Sequence, residues 1–200
     1  MTTRRDFLKT MSLASAGLAL GSGELLNAQT ISSKKGRNEK VKIAYIGIGN
    51  RGEQIIQDFA RTGMVEVVAL CDVDMGAKHT RKGMGMYPKA KKFRDFRQMF
   101  DKAGNEFDAV AIATPDHSHF PISMLALASG KHVYVEKPLA RTFYEAELLM
   151  QAALKRPNLA TQVGNQGHSE ANYFQFKAWM DAGIIKDVTA VTAHMNNPRR

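Results

Sequence analysis

An apolar run that ends in three spaced glycines constrains this chain more than any other feature. Residues 41–52 read VKIAYIGIGNRG, which gives the spacing GxGxxG. The apolar part is typical of a buried parallel strand, and Arg51–Arg61 is predicted to form the helix that follows it. In such a unit the glycines allow a tight turn, close approach of a pyrophosphate to the backbone, and close packing of the helix. The stretch therefore predicts a dinucleotide site, formed by Gly47, Ile48, Gly49, Asn50, Arg51 and Gly52.

An acidic residue stands where a dinucleotide would present its adenosine ribose. Residues 64–71 form a second apolar run that ends in Asp72, which is 20 positions after Gly52. An acidic side chain at this offset accepts hydrogen bonds from ribose hydroxyls. Val73 and Asp74 follow it, so a ribose 2′-phosphate would meet negative charge without a basic partner. The sequence therefore favours NAD over NADP as the cofactor.

Strands and helices alternate along the rest of this region. Asp95 is a predicted helix N-cap, and Thr142 with Glu145 forms a predicted capping box. With right-handed crossovers, the alternation predicts an α/β fold with a doubly wound parallel sheet of the Rossmann type. Further strands are predicted at residues 92–93, 107–113, 132–135 and 159–163, with helices at 75–82, 95–100, 121–129 and 142–155 and a loop at 83–88.

The segments that follow the strands should share one edge of the sheet. They read GIGNRG, CDVD, TPDHSH, EKP and GNQGHS, and ligands bind at the carboxyl ends of parallel strands. Further candidate cofactor contacts are therefore Thr114, Pro115, His119, Glu136, Lys137, Pro138 and Asn165. For His119 two roles stay open, a direct cofactor contact or a hydrogen bond to the backbone at the start of a helix. The histidines of TPDHSH and GNQGHS do not form an HxxxH pair on a helix and have no cysteine nearby in the sequence, so no metal site is predicted.

The first thirty residues are predicted to be a targeting segment. Residues 3–9, TRRDFLK, contain a twin-arginine pair, and a weakly apolar stretch follows at 11–20. That stretch is too short for stable membrane insertion, which needs about 20 residues. We predict a signal peptide at 1–30, export by the twin-arginine machinery to a periplasmic or other extracytoplasmic location, and a linker at 31–39. The alternative is an amphipathic or frayed terminus.

Much of the positive net charge of the chain lies in its first forty residues, so the rest is only mildly basic. The net charge is +9, of which residues 1–40 carry +4 and the remainder +5. The basic residues concentrate between Lys78 and Arg97, which is typical of a solvated face, and no nucleic-acid partner is predicted. Cys71 is the single cysteine, so the chain has no internal disulfide framework.

With these motifs in order, residues 40–197 resemble the glucose-fructose oxidoreductase, inositol dehydrogenase and MocA family (Gfo/Idh/MocA), and especially its exported bacterial branch. The resemblance implies that Lys137 of EKP is catalytic and lies beside the reacting carbon, and that a cis bond precedes Pro138. Physically, an ammonium there can stabilise an alkoxide on the substrate during hydride transfer. The alternative for Lys137 is an ordinary surface lysine.

The resemblance also implies a second domain. The NAD-binding domain is assigned to 40–165, and 166–200 would begin an α+β domain with an open antiparallel sheet that carries substrate residues and forms a homo-oligomer. A helix at 170–182 is expected to bury Phe174, Trp179 and Met180, and residues 184–194 to form the first strand. One strand cannot make a sheet, so we expect the chain to be the front part of a longer protein, with the rest of its proton relay beyond residue 200.

Three functions are compatible with these features. The first is an NAD-dependent oxidoreductase acting on a secondary hydroxyl of a sugar, cyclitol or glycoside. The second is a glycosidase that uses NAD for transient oxidation and elimination, and the third is a non-catalytic sugar- or nucleotide-binding protein. The intact EKP motif argues against the third.

Overall fold

The computed structural model describes residues 40–193, and these contain one parallel sheet with helices on both faces. Its strand order is β3-β2-β1-β4-β5-β6, with every described pairing parallel. This is the order of a doubly wound dinucleotide-binding fold, so the predicted fold class is confirmed. The strands are β1 (Val41–Ile46), β2 (Val65–Cys71), β3 (Lys91–Phe93), β4 (Ala109–Ile112), β5 (His132–Glu136) and β6 (Thr161–Gly164).

Six α-helices connect or follow these strands in the described part of the chain. Two of them begin with the predicted caps. The Asp95 side chain accepts a hydrogen bond from the Arg97 amide, and Thr142 and Glu145 form a complete capping box. The helices are α1 (Arg51–Arg61), α2 (Arg81–Met86), α3 (Phe96–Ala103), α4 (His119–Ala128), α5 (Phe143–Leu154) and α6 (Ala171–Asp181).

The strands are apolar on both faces because each face is covered by helices. On one face, Met99 of α3, Ile122 of α4 and Leu149 of α5 pack against β1, β4 and β5. On the other face, Ile55 and Ile56 of α1 pack against Ile43 and Tyr45 of β1 together with residues of β2 and β4. The central strand β1 therefore lies between two cores, which fixes the position of the turn that follows it.

The connection from β2 to β3 differs from its prediction. The helix predicted at 75–82 is wrong: a short 3-10 turn, Lys78–Thr80, precedes α2, which occupies most of the segment predicted to be a loop. The buried Thr80 hydroxyl donates to the carbonyls of Asp74 and Ala77, which holds the chain in a turn before the helix begins. A hydrogen bond of this local kind competes with helix formation and was not evident from the apolar pattern.

The region after β6 also differs from its prediction. Helix α6 forms, but Phe174, Trp179 and Met180 are 59%, 42% and 43% exposed, so their expected burial is wrong. Residues 184–193 are not a strand. Within residues 40–193 no strand pairs with them, and an extended segment needs such a partner for its backbone hydrogen bonds.

Parts of the predicted organisation lie outside the described residues. These are the signal peptide at 1–30, the linker at 31–39 and the end of the chain from residue 194. None of the helices within 40–193 combines the length and the apolar character needed to cross a membrane.

Candidate functional site

The glycine turn lies at the point where the order of the strands reverses. Strand β1 pairs with β2 on one side and with β4 on the other. The strands that follow in the chain are therefore added first on one side of β1 and then on the other, while all of them stay parallel. The turn is held by hydrogen bonds from the Gly47 amide to Cys71 O and from the Ala113 amide to Ile46 O, both 2.8 Å. In doubly wound sheets the crevice at this point binds the ligand.

The backbone at this turn fits a dinucleotide. Gly47 has φ +81°, and a Cβ there would lie 2.6 Å from the carbonyl carbon and oxygen of Ala113. A Cβ at Gly52 would lie 2.0 Å from Gly47 O, so only glycine allows the first turn of α1 to pack this closely. Beside them, Thr114 Oγ1 is buried and has no hydrogen-bond partner among the described residues. That hydroxyl is available to a bound nucleotide. The backbone N–H groups at the start of α1 suit the phosphates of that nucleotide.

Asp72 lies beside the glycine turn with its carboxylate held by backbone amides. Oδ2 accepts from the Ile48 amide and Oδ1 from the Asp74 amide, each at 3.0 Å. These bonds fix the carboxylate at the end of β2 and leave its remaining lone pairs for ribose hydroxyls. The structure therefore places Asp72 next to the turn, as its spacing predicts.

Replacing Asp72 by serine is expected to weaken NAD binding and to narrow the preference for NAD over NADP. Serine removes the carboxylate charge and can accept only part of this hydrogen-bond set, so the loss should be about 1.5 to 3 kcal/mol, the scale of a hydrogen bond to a charged group. Calorimetric titration with both nucleotides measures it. Asp101→Ser, which removes an exposed carboxylate of α3 outside the strand-end segments, is the matched control. Equal affinity of the unchanged protein for NAD and NADP would contradict the role of Asp72.

Glu136 of the EKP motif is bound to the glycine turn by an ion pair. Its side chain is nearly buried, and Oε1 accepts from Arg51 Nε at 3.1 Å and from the Tyr134 hydroxyl at 3.2 Å. Burial opposes charge on the Arg51 guanidinium, but the hydrogen bond and the charge of Glu136 raise its pKa. The two side chains therefore bind each other within the protein, and their predicted cofactor contacts stay a prediction.

Sequence reasoning identified Arg51 and Glu136 singly and missed their contact. The two residues are 85 positions apart, and no pattern within either motif indicates the pairing. A salt bridge of this kind can be inferred only after the strand order brings the ends of β1 and β5 to the same edge.

Lys137 follows β5 directly and is exposed at the carboxyl edge of the sheet. The Lys137–Pro138 peptide bond is cis, as the resemblance implies. Across residues 40–193 no carboxylate lies within salt-bridge distance of the Lys137 ammonium, whereas its neighbour Glu136 is paired. The lysine is therefore accessible to a ligand in the crevice.

His119 connects two of the segments that border this edge. It is 1% exposed, with Nδ1 2.6 Å from Pro138 O and Nε2 2.8 Å from Thr114 O. Both ring nitrogens face backbone carbonyls, which matches the second of its two predicted roles. The burial leaves no ring edge for the direct cofactor contact, so His119 is a positioning residue between the TPDHSH and EKP segments.

The remaining candidates lie along the same edge. Pro115 is exposed and precedes the 3-10 turn Asp116–Ser118, and Asn165 is exposed directly after β6. His117 is exposed, and the His168 ring lies 5.1 Å from that of Tyr173. No three His, Cys, Asp or Glu side chains within the described range are grouped as metal ligands.

The strand order, the glycine turn and Asp72 define a dinucleotide-binding Rossmann protein. A family model described as an oxidoreductase family with an NAD-binding Rossmann fold, GFO_IDH_MocA, matches residues 41–165. The chain belongs to this family, which confirms NAD as its cofactor class.

Similar proteins include both dehydrogenases and glycosyl hydrolases. A glycosyl hydrolase family 109 protein of Solibacter usitatus is 31% identical, with 100% of this chain and 47% of that protein covered. An inositol 2-dehydrogenase of Salmonella agona is 29% identical, with 72% and 43% covered. The solved scyllo-inositol dehydrogenase of Lactobacillus casei with bound NAD(H) and scyllo-inositol has a TM-score of 0.66 at 27% identity, with 76% and 44% covered. The chain spans less than half the length of these relatives.

Proposed function

We propose that the chain is the cofactor-binding part of an NAD-dependent oxidoreductase that acts on a secondary hydroxyl of a sugar, cyclitol or glycoside. The observation that carries this proposal is the placement of Lys137, exposed at the sheet edge and joined through its neighbour Glu136 to the glycine turn. The inositol dehydrogenases among its relatives support a cyclitol-like substrate.

In the proposed reaction, the glycine turn and Asp72 would hold NAD, which would supply the acceptor for the hydride of the hydroxyl-bearing carbon. The hydroxyl proton passes to a general base of the full-length protein. The Lys137 ammonium donates a hydrogen bond to the substrate oxygen and stabilises the alkoxide left by that proton, from which the hydride leaves as the C=O bond forms. The Glu136–Arg51 ion pair holds the backbone before Lys137 against the glycine turn, and His119 holds the backbone of Pro138 after it. The two contacts fix the lysine from both sides.

A second candidate function is an NAD-dependent glycosidase. The relative that covers the whole chain is named a glycosyl hydrolase, and this observation favours it. In this cycle a sugar ring carbon is oxidised transiently, which acidifies the neighbouring proton and permits elimination of the aglycone. Water then adds to the carbon that lost the aglycone, and reduction of the ketone returns the hydride. The dinucleotide site has the same requirements in both functions.

The two functions differ in their products. The full-length protein is incubated with a panel of inositols and aryl glycosides, and both reduced nicotinamide and released aglycone are measured. Accumulation of NADH without aglycone supports the dehydrogenase. Release of aglycone without net reduction supports the glycosidase. Tight NAD binding with neither product across the panel would contradict both and favour a binding protein.

We also propose that the protein is exported by the twin-arginine route, on the support of Arg4 and Arg5 before the weakly apolar stretch. We propose further that it forms homo-oligomers through the antiparallel sheet that the family resemblance implies. The twin-arginine route carries folded proteins, and NAD is scarce outside the cytoplasm.

A protein exported in this way should carry its cofactor with it. We expect the full-length protein, purified without added nucleotide, to release about one nicotinamide nucleotide per chain on denaturation, the stoichiometry of a single Rossmann site. Chromatography of the released nucleotide measures this. If none is released, obligate retention is wrong.

A further inference from the structure

The connection between β2 and β3 packs against the glycine turn. A Cβ on Gly83 of α2 would lie 3.2 Å from Ile48 O, so this helix packs directly against the turn. Lys82 Nζ lies 2.6 Å from Glu53 Oε1 of α1, and the buried Thr80 bonds the carbonyls of its own turn. These contacts fix the backbone on the C-terminal side of His79.

The His79 side chain lies over Gly49. A Cβ on Gly49 would come within 2.2 Å of His79 Cδ2 and 3.2 Å of Nε2. The space left by the missing side chain is therefore taken by the edge of the imidazole. His79 is otherwise exposed, so the ring is open to a ligand on its other side.

Gly49 is the position at which this turn approaches a pyrophosphate. An imidazole placed there can donate from Nε2 to a phosphate oxygen, either as the cation or as the neutral tautomer with its proton on Nε2. We propose that His79 is a further cofactor-binding residue, whose Nε2 donates to the pyrophosphate of NAD. This inference rests on the dinucleotide binding of the family and not on the proposed reaction.

The test is equilibrium binding of NAD to the cofactor-free full chain by calorimetry. His79→Ala is expected to weaken binding roughly 10-fold or more, the scale of a lost hydrogen bond to a charged group. His79→Gln keeps an N–H donor and should recover most of the affinity. ADP-ribose should show the same loss as NAD, since it carries the same pyrophosphate.

Lys89→Ala is the matched control, because it changes an exposed basic residue of the same connection away from the turn, and it should bind NAD as the unchanged chain does. Binding by His79→Ala within twofold of the unchanged chain, or tighter binding, would overturn the role of His79. If the unchanged chain itself failed to bind NAD, the dinucleotide site would be wrong and His79 with it. Either result is distinct from a failure of the proposed reaction, which is measured by turnover.

Discussion

Replacing Lys137 by methionine is expected to lower turnover by roughly two to three powers of ten while NAD binding is largely kept. Methionine has a similar length and no charge, so it removes the ammonium that stabilises developing charge on the substrate oxygen. Loss of one well-placed electrostatic stabiliser typically costs about 2.7 to 4 kcal/mol of activation free energy. The pyrophosphate is held by the turn at 47–52, which the substitution does not touch. Steady-state rates with the substrate identified in the panel measure the effect.

The control for this prediction is Lys155→Met, which removes an exposed lysine at the end of α5, away from the strand-end segments. It should leave turnover unchanged. If Lys137→Met turned over normally, Lys137 would be an ordinary surface lysine and the main reason to assign catalysis to this edge would be lost. A variant that lost NAD binding together with turnover would indicate instead that Lys137 holds the cofactor.

The parts of this fold that could be predicted from sequence depend on local chemistry. The bounds of α1 follow from the glycine turn that begins it, and the caps at Asp95 and Thr142 each need only the next three residues. The carboxyl ends of parallel strands lie at one edge of the sheet, so the alternation of strands and helices is enough to predict that Asp72, Thr114 and Lys137 share that edge.

The contacts that sequence reasoning missed depend on distant residues. Glu136 could be identified as part of EKP, but its pairing with Arg51 requires β1 and β5 to be placed in one sheet. His79 gave no signal, since a single histidine in a connection between two strands is usually a surface residue. Its position over Gly49 follows from the packing of α2, of which residues 83–86 lie in the segment predicted to be a loop.

The wrong predictions after β6 have a different cause. The apolar residues of α6 predict a buried face, but an apolar pattern shows only that a helix can be covered. In the described part of the chain, Phe174 and Trp179 remain exposed, and residues 184–193 have no strand beside them. An apolar pattern therefore predicts that a helix forms, but it does not predict which part of the protein packs against that helix.

A substitution at Gly52 tests directly whether the glycine turn binds the pyrophosphate. Gly52→Ala places a Cβ 2.0 Å from Gly47 O, which is backbone and cannot rotate away. The first turn of α1 or the glycine turn must therefore shift. We expect the free energy of unfolding to fall by about 1 to 3 kcal/mol, the usual scale of overpacking. NAD affinity should fall at least roughly 100-fold, or about 2.7 kcal/mol, because the amides that bind the pyrophosphate move with the turn.

Gly85→Ala is the matched comparison, since it makes the same substitution in another helix. A Cβ at Gly85 meets nothing within 4 Å, so the added methyl group has room. It should raise the free energy of unfolding by about 0.4 to 1 kcal/mol by restricting the unfolded chain, and leave NAD affinity unchanged. For both variants, chemical denaturation measures the free energy of unfolding and calorimetric titration measures the affinity for NAD. If Gly52→Ala bound NAD as well as Gly85→Ala does, the close approach at residue 52 would not be needed for the cofactor. The assignment of residues 47–52 as the pyrophosphate turn would then be wrong, because that assignment requires a backbone that a single methyl group displaces.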